Sequence, residues 1–140
     1  MATMNVEILS PEAALWTGPA TALMARSSEG EFTVLPEHTA TVGDVISSVV
    51  RVQTDQGEIA FAVHSGFFQV GRGLEPDTTL ATVLASVAER TTEIDVARAQ
   101  AAKESAEARL AAATKGEDET NELLAHAAQQ RAELRLSAAK

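Results

Sequence analysis

Two charged pairs in this chain have spacings that could hold an anion. Asp95 and Arg98 stand three apart at the start of a helical stretch, with Glu89 shortly upstream, so a guanidinium and the N–H donors of a helix start would be offered together. Arg131 and Arg135 stand four apart on one helical face, a spacing that can grip phosphate bidentately or meet acidic side chains. A plainer reading fits the same residues. Thr92-Glu93-Ile94-Asp95 has the form of a capping box, Asp95 with Arg98 that of a surface pair, and Arg131 with Arg135 that of a solvated stripe. The pairs form one site only if the chain brings them together. His38, His64 and Asp44 are the other candidates, but no Gly-x-Ser-x-Gly elbow and no metal-ligand spacing accompanies them. Gly71-Arg72-Gly73 lacks the helix and lysine-serine pair of a phosphate loop, and neither catalytic residues nor metal ligands are expected.

The elements that must position these residues change character between Ala88 and Ala99. All four prolines and seven of the eight glycines lie upstream, and only Gly116 lies downstream. Short runs rich in Val, Ile, Thr and Phe, namely Val6–Leu9, Thr21–Arg26, Phe32–Leu35, Val45–Val52, Glu58–His64, Phe67–Val70 and Thr78–Val87, read as strands separated by turns such as Trp16-Thr17-Gly18-Pro19 and Thr54-Asp55-Gln56-Gly57. Turn spacings of roughly 8 to 12 residues suggest an antiparallel β-sandwich or barrel. After Thr92 the period becomes helical. Ile94, Ala97, Ala101, Ala108 and Ala112 share one face, with Ala99, Ala102, Ala106 and Leu110 beside it. Lys115-Gly116-Glu117-Asp118 reads as a stop and a new start, and a second helix to about Ala138 places Leu123, Ala127, Leu134 and Ala138 on its apolar side. An antiparallel hairpin follows, which sets Asp95 and Arg98 near Arg131 and Arg135. The reading is thus α+β by segment: residues 1–88 as an N-terminal antiparallel β-sandwich and residues 89–140 as a C-terminal antiparallel two-helix hairpin.

The hairpin has few large apolar residues: Leu110, Leu123, Leu124, Leu134 and Leu136. A buried leucine contributes ~1.5–3 kcal/mol, against an ordering cost of ~1–2 kcal/mol per residue before hydrogen bonds are counted. Such a hairpin is close to balance and is expected to undock or extend when a ligand or partner favours it.

Composition excludes several classes of function. The net charge of −9 is divided as 3 basic and 11 acidic residues over positions 1–89, and 8 basic and 9 acidic over 90–140. An acidic sheet module argues against binding a phosphate backbone, so no nucleic-acid partner is expected. With no cysteine there is no disulfide framework and no thiolate metal site. The N-terminus lacks the pattern of a secretory signal, and no stretch approaches the ~20 apolar residues of a membrane span. A soluble intracellular protein without direct membrane insertion is expected.

The order and spacing of the motifs resemble a known family. Ser28-Glu29-Gly30-Glu31-Phe32-Thr33-Val34-Leu35-Pro36-Glu37-His38, Ser65-Gly66-Phe67-Phe68-Gln69-Val70, Ala88-Glu89-Arg90, Ile94-Asp95-Val96-Ala97-Arg98-Ala99 and Arg135-Leu136-Ser137 together are similar to the epsilon subunit of the F-type, proton-translocating ATP synthase, over nearly all 140 residues. The resemblance implies a non-catalytic central-stalk subunit, peripheral to the cytoplasmic face of the bacterial cell membrane. Its sandwich would bind the gamma subunit and the c-ring. Its hairpin would extend into the catalytic alpha/beta head and inhibit ATP hydrolysis. Glu31 and His38 fall by position in the region that meets the c-ring and gamma. Glu89, Asp95, Arg98, Arg131 and Arg135 match positions that bind ATP in some members, as a regulatory ligand rather than a required cofactor and without a required metal. Three departures stand out: Glu37 where the family has glycine, Thr39-Ala40 where it has alanine-proline, and Ser105 where a tight ATP-binding member has a further basic residue.

Overall fold

Alternation of apolar and polar residues organises the first ninety positions into strands that bury one face each. The computed structural model describes residues 3–113 and 119–139. In chain order the strands are β1 (Thr3–Leu9), β2 (Ala14–Ala20), β3 (Ala22–Ser27), β4 (Gly30–Val34), β5 (Thr41–Val45), β6 (Ser48–Thr54), β7 (Gly57–Val63), β8 (Gly66–Arg72), β9 (Thr78–Ala85) and β10 (Ala88–Arg90). They form two five-stranded sheets, ordered β2-β1-β9-β8-β5 and β10-β7-β6-β3-β4, which face each other as a β-sandwich. Pairing is antiparallel except between β1 and β9, which run parallel with Met4 opposite Thr79 and Ile8 opposite Val83.

The alternate residues of these strands make one core. Met4, Val6 and Ile8 of β1 and Ala81, Val83 and Ala85 of β9 face inward, against Leu23 and Ala25 of β3, Val50 and Val52 of β6, and Phe61 and Val63 of β7. Phe32 and Phe68 meet with ring centroids 4.3 Å apart, joining the two sheets near the β4 and β5 edges.

Three sequence expectations are corrected here. Trp16–Pro19 is not a turn but the centre of β2; Pro19 is tolerated because β2 is an edge strand paired only with β1. Val45–Val52 is not one strand. It breaks at Ile46-Ser47, where the chain leaves one sheet for the other, and Ile46 N–H donates to the Arg26 carbonyl at 3.0 Å. The last extended run stops at Ala85, and Ser86, whose hydroxyl donates to the His64 carbonyl, separates it from β10.

The chain divides into two compact units, Met1–Arg90 and Thr91–Lys140. The second opens with a 3₁₀ turn, Thr91–Glu93, followed by α1 (Val96–Ala113) and α2 (Glu119–Ala138). The stop-and-start segment Lys115-Gly116-Glu117-Asp118 lies outside the described residues. The helices pack on each other. Their connection, residues 114–118, can span at most ~18 Å. A parallel pair would need ~27 Å, the length of α1, so the helices run antiparallel.

The faces they bury differ from those expected. Ala99 and Ala106 are buried on α1, while Ala97, Ala101 and Ala108 are exposed; the side chain of Ala112 lies outside the described residues. On α2 the buried residues are Ala125, Ala132 and Ala138, whereas Leu123 is 70% exposed, and Ala127 and Leu134 are half-buried. Alanine surrounds α1, so its periodicity marks a helix without marking which stripe is inside.

Gly66 opens β8 beside the backbone of β9. A Cβ there would meet the Leu84 carbonyl oxygen at 2.3 Å and Ala85 Cα at 2.9 Å, and neither can move without opening the β8–β9 ladder. Gly66→Ala is expected to cost about 1–3 kcal/mol, or roughly 5–20 °C in the melting of the sandwich unit, measured by thermal circular dichroism.

Candidate functional site

The site is built from the first turn of α1 and the last turns of α2. Asp95 is the residue that starts α1. Its Oδ1 accepts the backbone N–H of Arg98 at 3.0 Å and its carbonyl accepts that of Ala99 at 2.9 Å, the two bonds of an N-cap. The capping box expected from Thr92 is not what starts the helix: Thr92 lies within the 3₁₀ turn, and a simple N-cap three residues later, at Asp95, takes its place. The Asp95 carboxylate spends its first bond on the helix start rather than on the Arg98 side chain, so the expected i,i+3 surface pair is not formed.

The antiparallel connection places this first turn level with the end of α2. Arg98 and Arg131 are exposed, and among the described residues neither side chain forms an ion pair. Arg135 is half-buried and engaged in a contact of its own. Three arginines and the capped helix start thus belong to one end of the hairpin, which concentrates positive charge there. Glu89 belongs to the other unit. It sits half-buried in β10, paired opposite Ala62 of β7, with its Oε1 4.0 Å from His64 Nε2.

Glu31 lies near the start of β4 and His38 in the turn beyond its end, with about 10 Å of strand from Glu31 to Val34 between them, so they do not share one loop. Glu31 stands directly opposite Arg26 on β3, and their side chains pair at 3.0 Å in an exposed setting. His38 ends a four-residue turn whose closing bond runs from its N–H to the Leu35 carbonyl at 3.1 Å. Pro36 occupies the second position and Glu37 the third, with φ of 72°, the left-handed conformation that this turn type normally gives to glycine. The backbone thus keeps a glycine conformation without the glycine. The Glu37 N–H donates to Thr79 Oγ1 at 2.7 Å, which ties the turn to β9. Beside it opens a hollow of about 720 Å³ lined by His38, Arg72, Leu74 and Asp77 among others.

The three candidates for hydrolytic chemistry have separate partners. His38 Nδ1 lies 2.7 Å from the Thr39 carbonyl, His64 is buried beside Glu89, and both Asp44 oxygens are taken by Ser28. The Ser28–Asp44 contact was invisible in the sequence, since its partners are 16 residues apart in different sheets and no local motif links them. No group of metal-ligating side chains occurs among the described residues.

Comparison with known proteins covers both units. Residues 3–91 match the family model "ATP synthase, Delta/Epsilon chain, beta-sandwich domain", and residues 92–140 match "ATP synthase, Delta/Epsilon chain, long alpha-helix domain". Similar chains include the ATP synthase epsilon chains of Brevibacillus brevis, 39% identical over 79% of this chain and 80% of the relative, and of Laribacter hongkongensis, 40% identical over 81% and 79%. That of Rhodococcus jostii is 39% identical over 72% and 80%. Among solved structures, a chain of the Euglena gracilis mitochondrial ATP synthase shares the fold with a TM-score of 0.79 at 23% identity, over 99% of this chain and 82% of that one.

Substitutions at Glu37 and Asp95 test this geometry. Glu37→Gly relieves a left-handed residue and is expected to stabilise the sandwich by about 1 kcal/mol after the greater entropy of glycine in the unfolded chain is subtracted, read as a rise in melting temperature. Asp95→Ala is expected to cost the hairpin about 1 kcal/mol and to speed hydrogen exchange in the first turn of α1, whereas Asp95→Asn retains the cap and most of the protection.

Proposed function

Since the chain belongs to the ATP synthase delta/epsilon family, as an epsilon chain and hence a non-catalytic subunit, we propose that it is the central-stalk piece that couples the gamma subunit to the c-ring and restrains ATP hydrolysis through its helical hairpin. The single observation that carries this reading is the match of both units, in order, to the two domains of that family. The rotor contacts would fall on the sandwich, with Glu31 and His38 as their proposed residues. The acidic balance of that unit suits partners that present basic loops. The hairpin supports a regulatory role because its seam is alanine, so separating the helices forfeits little apolar burial and could be offset by contacts in the alpha/beta head. No described helix is long and apolar enough to cross a membrane, and association with the cytoplasmic face of the membrane would come through the complex.

Nucleotide sensing is a second reading, favoured by the three arginines at one end of the hairpin. In it ATP, without a required metal, holds the hairpin folded through Arg98, Arg131 and Arg135, with Asp95 capping the helix that carries Arg98. A ligand that binds only the folded form stabilises it by RT ln(1 + [L]/Kd), about 2.7 kcal/mol at a hundredfold excess over Kd.

One experiment addresses both. ATPase rates of the assembled complex are compared with the full chain and with Ile94 to Lys140 deleted, each with and without ATP preincubation. The reading expects assembly to persist and hydrolysis to rise on deletion; failure to assemble overturns the division of labour between the units. ATP preincubation should raise hydrolysis only with the full chain, and a calorimetric titration showing no heat at millimolar ATP removes the nucleotide reading alone.

A further inference from the structure

The edges of the two sheets are joined at one corner by a single carboxylate. Asp44, on edge strand β5 of the first sheet, accepts the Ser28 backbone N–H on Oδ2 at 3.0 Å and the Ser28 hydroxyl on Oδ1 at 3.0 Å. Ser28 lies in the turn between β3 and β4, the hairpin at the edge of the second sheet. Two residues further along, Ile46 N–H donates to the Arg26 carbonyl at 3.0 Å, so β5 and its continuation hold the same hairpin twice. Arg26 is in turn the cross-strand neighbour and ion-pair partner of Glu31. Glu31 is therefore flanked on its own strand by a turn that Asp44 ties down, and across the ladder by a residue whose backbone the β5 continuation holds.

An exposed four-residue turn with glycine at its end would ordinarily sample several conformations. A carboxylate that accepts both a backbone N–H and a hydroxyl from one residue removes that freedom, since both bonds are charge-assisted and their common donor fixes the angle of the turn. We propose that Asp44 is a positioning residue: it holds the β3–β4 turn in the conformation that presents the carboxylate of Glu31, on β4 beside that turn, to the rotor partner. This rests on the reading of Glu31 as a rotor contact. Asparagine is isosteric with aspartate but neutral: its Oδ1 can still accept the Ser28 N–H and its amide can donate to the Ser28 hydroxyl oxygen, so the contacts survive in shape while both lose their charge assistance.

The test uses the full chain titrated into ATP synthase depleted of this subunit, with affinity, melting temperature and amide hydrogen exchange measured together. Asp44→Asn is expected to weaken association about tenfold, through the loss of charge assistance on the two bonds to Ser28, and to speed exchange of the Ser28 amide. Ser28→Thr, which keeps both donors, is expected to bind as the unaltered chain does. The deciding comparison is a double-mutant cycle with Glu31→Gln. Because Asp44 acts through Glu31, Asp44→Asn should add little once Glu31 is replaced. An equal loss in both backgrounds would show a general structural defect and overturn the proposal, as would full affinity in Asp44→Asn beside a weakened Glu31→Gln. Full affinity in Glu31→Gln overturns the rotor reading of Glu31 itself, an outcome distinct from either.

Discussion

The sandwich depends on the pleat of its strands, which sends alternate side chains to opposite faces and lets both sheets bury one apolar face against the other. Met4, Val6 and Ile8 on β1 and Ala81, Val83 and Ala85 on β9 share one layer because these strands are hydrogen-bonded neighbours. Their parallel pairing joins the first and ninth strands across 75 residues of sequence, so the sheet cannot form piecemeal. With the interior committed to packing, polar chemistry is left to the rims: the β3–β4 turn, the loop after β4 and the start of the helical unit.

The helical unit is held differently. Among the described residues its buried helical side chains are alanines, Ala99 and Ala106 on α1 and Ala125, Ala132 and Ala138 on α2, while Leu123 and Leu124 are exposed. Small side chains let helix axes approach closely, but each removes little area from water, so helix propensity and caps such as Asp95 carry much of the stability. The sandwich thus rests on a large aliphatic core and the hairpin on small contacts, so separating the two helices would forfeit less apolar burial than parting the sheets.

Much of this was legible before any coordinates. The strands from Val6, Phe32, Glu58 and Phe67 follow from β-branched and aromatic alternation between turn residues, and the change to helices beyond Thr92 follows from alanine and the loss of proline and glycine. The misread elements share a cause. Trp16–Pro19 looks like a turn because proline and glycine punctuate it, yet at a sheet edge Pro19 needs no donor on its outer side. Val45–Val52 looks like one strand because an apolar run carries no mark of the point where it changes sheets. Alanine occurs on nearly every side of α1, so the sequence does not mark which face is buried, and Thr92 and Asp95 both suit the cap, so it does not mark which of them starts the helix.

Residue types and spacings by themselves determined that a strand-rich unit precedes two helices, that the interior is aliphatic, and that arginines gather near the ends of the helical segment. These are local properties, written in propensity and period. Tertiary structure decided which residues act together. It placed Glu31 on β4 and His38 in the turn beyond that strand, spent the Asp95 carboxylate on a helix cap, and joined Asp44 to Ser28 across the corner of two sheets. The reason is that hydrogen bonds are formed by groups within about 3 Å in space, and nothing in a local pattern records a partner that the fold brings in from another sheet.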